Sequence, residues 1–178
     1  MTPGNNKSNI GVPHGNIVLL GFMGTGKTTV GKILARRLGM TFVDMDMVIE
    51  ERTGKTISKI FAEDGEASFR ALERNLVKEL SARKGLVVAT GGGVVLNPEN
   101  VSDFERSGLV VCLTADAEVI LKRTASESHR PLLEGEERAA RITKLLESRR
   151  SLYGAIPRRI DTAKLGPEAV ADAIASLP

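Results

Sequence analysis

The stretch Gly21-Phe22-Met23-Gly24-Thr25-Gly26-Lys27-Thr28 constrains this chain more than any other. It fits G-x-x-x-x-G-K-[ST] and lies where such a loop works, between the apolar run Ile17 to Leu20 and an amphipathic segment beginning at Lys27. That segment places Val30, Ile33, Leu34 and Leu38 on one helical face and stops at Gly39, a residue suited to the left-handed turn after a helix. The spacing carries the chemistry. Glycines let the backbone wrap closely enough for its N–H groups to point at phosphate oxygens, and the helix beginning at Lys27 adds the positive end of its dipole. Lys27 is predicted to reach the β- and γ-phosphates and the Thr28 hydroxyl to ligate Mg²⁺. The bland alternative is a glycine-rich turn that only joins strand to helix, and the flanking elements argue against it. The loop predicts nucleotide binding but no particular reaction, since kinases, switches and motors share it.

The rest of the chain follows the same alternation. Strands are expected at Ile17 to Leu20, Thr41 to Val43, Leu86 to Ala89, Leu109 to Leu113 and Arg159 to Asp161, the first four as the continuous apolar runs of strands buried on both faces. Between them, Glu66 to Arg83 carries Phe69, Leu72, Leu76 and Leu80 on one face. Asn97-Pro98 reads as an N-cap followed by Pro at N1, and Gly166-Pro167 repeats the signal before a last helix over Glu168 to Leu177. The pattern predicts an α/β fold in three α/β/α layers around a five-stranded parallel sheet. A length of 178 residues suits one domain, expected over 16–178, after a Gly-, Asn- and Pro-rich tail at 1–15. The charged, aperiodic stretch 125–137 is the candidate mobile lid.

Composition removes competing classes. The surplus of Lys and Arg over Asp and Glu, 25 against 22, is too small to argue for nucleic acid by itself. With 3% aromatics, no Trp and the single Tyr153, a stacking platform for single strands has little to stack with. One cysteine, Cys112 in an apolar run, forms no internal disulfide, and the isolated His14 and His129 offer no zinc spacing. A cytoplasmic protein is expected. The tail has neither the apolar core of a signal peptide nor the length of a membrane span, so no membrane partner is expected.

Two further motifs fall at the carboxyl edge of the sheet, where open α/β folds bind ligands. Strand two ends in Phe42-Val43-Asp44-Met45-Asp46, whose acids are expected to project together from the strand end. One suits a water-mediated Mg²⁺ contact beside Thr28, and the other suits holding an acceptor hydroxyl and taking its proton. An acidic turn that only caps the following helix is the alternative. Strand three ends in Ala89-Thr90-Gly91-Gly92-Gly93, where a ligand can lie against bare backbone. A switch GTPase would carry Asp-x-x-Gly after a strand and an Asn-Lys-x-Asp guanine reader, and neither occurs. Arg70, Arg123, Arg130 and Arg149 are the candidate cations, and a pair of them suits an anionic acceptor, although any one also reads as solvated surface. Kinases of gluconate or of nucleotides, and a non-catalytic nucleotide-binding regulator, remain open at this point.

With these residues in place the sequence resembles the shikimate kinase family from Ile17 to Leu177. The resemblance rests on GFMGTGKT, FVDMD, IFAEDGEASFRALE, GGG, HRPLL, SRRSLY and IDT occurring in that order. It implies a P-loop NTPase fold with a mobile lid and ATP-dependent phosphorylation of the 3-hydroxyl of shikimate, a step toward chorismate and the aromatic amino acids. It also implies site residues. Asp46, Arg70, Gly92 and Arg149 match positions that hold the hydroxyls and carboxylate of shikimate, with Gly91 and Gly93 in the same turn, and Asp46 matches the proton acceptor. Gly24, Thr25, Gly26, Lys27, Thr28 and Thr29 match the ATP phosphate site, and Thr28 with Asp44, the latter through water, the Mg²⁺ site. Arg130 matches the lid arginine on the phosphates, Arg123 and Pro167 the pair bracketing adenine, and Phe61, Phe69 and Glu73 the lining and brace of the shikimate pocket. The expected partners are ATP and shikimate, on a monomer. Gly154-Ala155 and the basic Pro157-Arg158-Arg159 depart from the family pattern.

Overall fold

A computed structural model describes residues 15–125 and 135–178 of the chain. Five strands, β1 (Asn16–Gly21), β2 (Thr41–Asp44), β3 (Leu86–Ala89), β4 (Gly108–Thr114) and β5 (Arg159–Asp161), form one sheet in the order β2-β3-β1-β4-β5. All four pairings are parallel, so every strand ends at the same edge. The expected strands are met to within one residue at either end.

The central strand shows why the sheet needs two covering layers. Its residues alternate, Ile17 and Leu19 packing into one cluster and Val18 and Leu20 into the other, all fully buried. Helices α1 (Lys27–Leu38) and α8 (Pro167–Ala175) close the first cluster through Val30, Leu34, Val170 and Ile174. Helices α2 (Met45–Thr53), α3 (Ile57–Glu63), α4 (Gly65–Ser81), α5 (Pro98–Ser107), α6 (Ala117–Thr124) and α7 (Gly135–Gly154) supply the second, with Ile49, Ile60, Phe69, Leu76, Phe104, Ile120 and Ile142. The three-layer arrangement read from the alternation of elements is the one observed. Cys112 belongs to this second cluster with no exposure, and burial pushes its thiol up to about 11, so it stays a neutral core group.

Caps set the helix boundaries. The Asn97 side chain accepts from the Glu99 N–H ahead of α5, with Pro98 in the first turn, and Gly39 ends α1 in the left-handed conformation, all as expected. Helix α8 begins at Pro167 and α4 at Gly65, each one residue early. The short helices α2, α3 and α6 were not resolved by periodicity, because one or two turns carry too few apolar repeats to declare a face. Helix α7 begins at Gly135; residues 126–134 of the expected lid, and 1–14 of the expected tail, lie outside the described residues.

A buried polar residue fixes the layer contact at the far end of the sheet. Asn16, without exposure, donates from Nδ2 to the Leu80 and Arg83 carbonyls and accepts from the Leu86 N–H at 3.1 Å. All its polar atoms are used, so its burial carries no desolvation penalty left unmet. The turn between α4 and β3 is thereby held to the first residue of β1.

Candidate active site

An open cleft of about 1570 Å³ runs along the carboxyl edge of the sheet. One wall is the phosphate loop. Gly24 and Gly26 take φ of +75° and +92°, values that an L side chain rarely adopts, and this lets the loop curl over the start of α1. Gly26 at the N-cap offers no side-chain cap to α1, and none of the first-turn residues of that helix is acidic. Its N–H groups and positive dipole end are thus presented to the cleft, as an anion site requires. Lys27 Nζ bridges the loop's own carbonyls, donating to Gly21 O at 2.9 Å and Phe22 O at 2.8 Å. Thr25 is buried and its hydroxyl donates to Phe22 O, so its side chain serves the loop and only its backbone is placed for a ligand. Thr29 is exposed on the cleft wall.

Asp44 joins the two readings that its position suggested. Its Oδ1 accepts from the Asp46 and Met47 N–H groups and caps α2, while its Oδ2 accepts from the Thr28 hydroxyl at 2.8 Å. Asp46 and Asp44 both line the cleft, Asp46 from the first turn of α2, because the capped backbone turns straight from the strand into that helix. The Thr28 and Asp44 oxygens form a pair of hard donors beside the phosphate loop. That fits Mg²⁺, which takes one or two protein oxygens and completes its shell with water and phosphate. Among the described residues no cluster of three His, Cys, Asp or Glu forms a metal cage.

The opposite wall is the glycine turn after β3, and residues from three helices converge on it. A Cβ on Gly91 would meet Asp46 Oδ1 at 2.9 Å and Glu73 Oε1 at 3.3 Å, and one on Gly93 would lie inside the Arg70 guanidinium. Only glycine allows those groups so close to the backbone. Arg70 is held from both sides, donating to Glu73 Oε2 at 2.9 Å and to Glu66 Oε1 at 3.2 Å. Its guanidinium lies 5.2 Å from the Phe69 ring centroid and 6.0 Å from that of Phe61. From the far side, Arg149 Nη1 and the Tyr153 hydroxyl both donate to Gly92 O, at 3.2 and 2.6 Å.

Glu73 is the electrostatic oddity of this wall. It is 2% exposed, and its Oε1 has no hydrogen-bond partner among the described residues. Burial pushes its carboxyl above the usual range, opposed by Arg70 and reinforced by the negative charge of Asp46. Tyr153 is likewise pushed up, to about 12, by burial, and remains a hydrogen-bond donor throughout the working range.

At the end of the cleft beside β5, Arg123 Nη1 donates to Gly24 O and to Thr162 Oγ1, Nη2 donates to Thr162 O, and Pro167 lines the same region. Every site residue expected from the sequence therefore lines one cleft, with the exception of Arg130, which lies outside the described residues. Reading the sequence missed Glu66 and Thr162 on the cleft wall, Tyr153 behind the glycine turn, and also the face of α7 that adds Arg141, Lys144 and Ser148 to Arg149. The last was legible as an i, i+3, i+7, i+8 pattern of polar residues. The basic departure near β5 has a structural use, since Arg159 donates to the Gly154 and Ile156 carbonyls and closes the end of α7.

Comparison with known proteins gives a consistent result. The family model described as shikimate kinase matches residues 23–177. A shikimate kinase of Thermodesulfovibrio yellowstonii is 48% identical over 89% of this chain and 92% of its own. The structure of shikimate kinase from Acinetobacter baumannii in complex with shikimate superposes with a TM-score of 0.85 at 40% identity, covering 96% of this chain and 94% of that one. A gluconokinase from Sinorhizobium meliloti reaches a TM-score of 0.54 at 20% identity over 90% of this chain and 89% of its own, a likeness of fold alone.

Proposed function

The chain belongs to the shikimate kinase family, and from that premise we propose that the cleft transfers the γ-phosphoryl group of ATP to the 3-hydroxyl of shikimate, giving shikimate 3-phosphate and ADP. The observation that carries this reading is the pairing of walls. A phosphate loop whose helix start carries no N-cap side chain faces a glycine turn bonded by Arg149, packed closely by Arg70 and flanked by a carboxylate. Two guanidiniums suit an acceptor that bears a carboxylate.

Phosphoryl transfer needs little covalent help, so the protein's work is positioning and charge neutralisation. In this reading the backbone of Gly24 to Gly26 and the first turn of α1 bind the phosphates, and Lys27 exchanges its loop carbonyls for phosphate oxygens. Thr28 and Asp44 would hold Mg²⁺, Thr28 directly and Asp44 through water. The ion, when bound, neutralises charge on the phosphates. Arg70 and Arg149 take the acceptor carboxylate against Gly91, Gly92 and Gly93, while Asp46 orients the hydroxyl and accepts its proton. Arg123 and Pro167 bracket the base, and Arg130, assigned from the resemblance, adds a cation at the phosphates. The enzyme is proposed to act as a cytoplasmic monomer on small molecules, without nucleic acid or membrane. No described helix is long and apolar enough to cross a membrane.

A coupled ADP-release assay with shikimate, gluconate and nucleoside monophosphates in parallel tests the assignment. Stimulation by shikimate alone is the expected outcome. Stimulation by another acceptor would reassign the substrate, and stimulation by none would leave a nucleotide-binding protein without catalysis.

A further inference from the structure

Thr162, the last residue of the IDT segment, is used by no step above, yet it joins several parts of the site. It is 3% exposed. Its hydroxyl oxygen accepts from Arg123 Nη1 at 2.9 Å and its carbonyl from Arg123 Nη2 at 2.6 Å, so both arms of one guanidinium are gripped by a single residue. The hydroxyl hydrogen has two acceptors in reach, Thr25 O at 3.2 Å and Thr114 O at 3.1 Å. The Thr114 carbonyl already receives the Thr162 N–H at 2.8 Å, which anchors the residue to the end of β4. Arg123 in turn donates to Gly24 O at 3.3 Å. A closed network thus runs from the phosphate loop through Arg123 to the segment after β5 and back to the phosphate loop.

We propose that Thr162 is a positioning residue for nucleotide binding, locking the Arg123 guanidinium against the phosphate loop so that the surface that meets the base is held in register with the surface that meets the phosphates. The inference rests on the reading of Arg123 as a nucleotide contact. Its physical basis is preorganisation. A long side chain ordered only when ligand arrives loses its rotamer freedom at that moment, whereas Arg123 has already lost it in the folded protein. Gly24 and Thr25 belong to the loop that wraps the phosphates, so the bonds from Arg123 to Gly24 O and from Thr162 to Thr25 O fix the spacing between the two ends of the nucleotide.

The test compares Thr162→Val, which keeps the shape and loses the hydroxyl, with Thr162→Ser, which keeps the hydroxyl. Each is made in the native background and with Arg123→Ala. KM values for ATP and shikimate are measured alongside ATP affinity by calorimetry, so Thr162 is tested even if shikimate is not turned over. Expected is a rise of roughly tenfold in KM and Kd for ATP in Thr162→Val, the scale of a lost bond to a charged group. The shikimate KM should be unchanged, Thr162→Ser should recover most of the loss, and Thr162→Val should add nothing to Arg123→Ala. An equal rise in both KM values, or the same rise on top of Arg123→Ala, would make Thr162 a general stabiliser and overturn the proposal. If Arg123→Ala weakens ATP but Thr162→Val does not, the proposal fails and the nucleotide reading stands; if Arg123→Ala itself leaves ATP binding intact, both fail. Should Thr162→Val not fold, Thr162→Ala carries the same comparison.

Discussion

The two walls of the cleft are built by different means. The nucleotide wall is mostly main chain from one continuous stretch, Gly21 to Thr29, whose glycine φ values and uncapped helix start are local properties. The acceptor wall is mostly side chain, with Asp46 from α2, Arg70 and Glu73 from α4, and Arg149 and Tyr153 from α7 meeting a bare glycine turn after β3. A backbone site tolerates side-chain change but needs its conformation. A side-chain site can lose one group at a time, so single substitutions on it should separate substrate handling from nucleotide handling.

The largest expected effect is on Asp46→Asn, which removes the proton acceptor while leaving the phosphate loop alone. Turnover should fall by about 10²- to 10⁴-fold with ADP affinity retained, as calorimetry would show. A parallel loss of ADP affinity would mean the walls are not separable. Next is Arg149→Ala, for which the KM for shikimate should rise by roughly 10- to 100-fold, the scale of a charge-assisted bond, with the ATP KM unmoved. An unchanged shikimate KM would remove Arg149 from the carboxylate.

Gly93→Ala sharpens the comparison from the backbone side. The added Cβ would overlap the far end of the Arg70 side chain, which can move, so the melting temperature should change little. The displaced guanidinium should raise the shikimate KM by about tenfold, on the same charged-contact scale, and crystals of the variant should show Arg70 shifted. The smallest effect concerns Glu73. Its raised carboxyl favours the protonated form in the folded state, so its contribution to stability is complete below the ordinary value of 4.5 and is lost as pH rises through the higher folded value. Thermal melts of the shikimate-free protein from about pH 4.5 upward should therefore lose one source of pH dependence in Glu73→Gln. An identical profile would mean that Glu73 is not perturbed.

The nucleotide wall was readable in advance because residues next to each other in sequence make it, and the distance from Gly21 to Thr28 is fixed by bond geometry. The pairing of Asp44 with Thr28 shows where such reading stops. Either a metal contact or a helix cap could be argued from Phe42-Val43-Asp44-Met45-Asp46, and the two carboxylate oxygens serve Thr28 and the α2 cap at once. Arg70 and Arg149 were candidate cations on the sequence alone and were matched to the acceptor by the family resemblance, but their meeting at the glycine turn from two different helices is a matter of packing. Glu66 gave no signal, since an exposed helix glutamate four residues before an arginine is an ordinary surface pair.

By itself the sequence determined the parallel α/β architecture and the phosphate loop, because apolar alternation, caps and glycine spacing act over a few residues and leave few other folds open. Only the tertiary structure decided that Tyr153 and Arg149 share the Gly92 carbonyl, that one Glu73 oxygen has no hydrogen-bond partner among the described residues, and that Thr162 bonds Arg123 beside the phosphate loop. Those contacts join residues distant along the chain, and they arise when the parallel strands bring their carboxyl ends to one edge and the helices on one face of the sheet close over it.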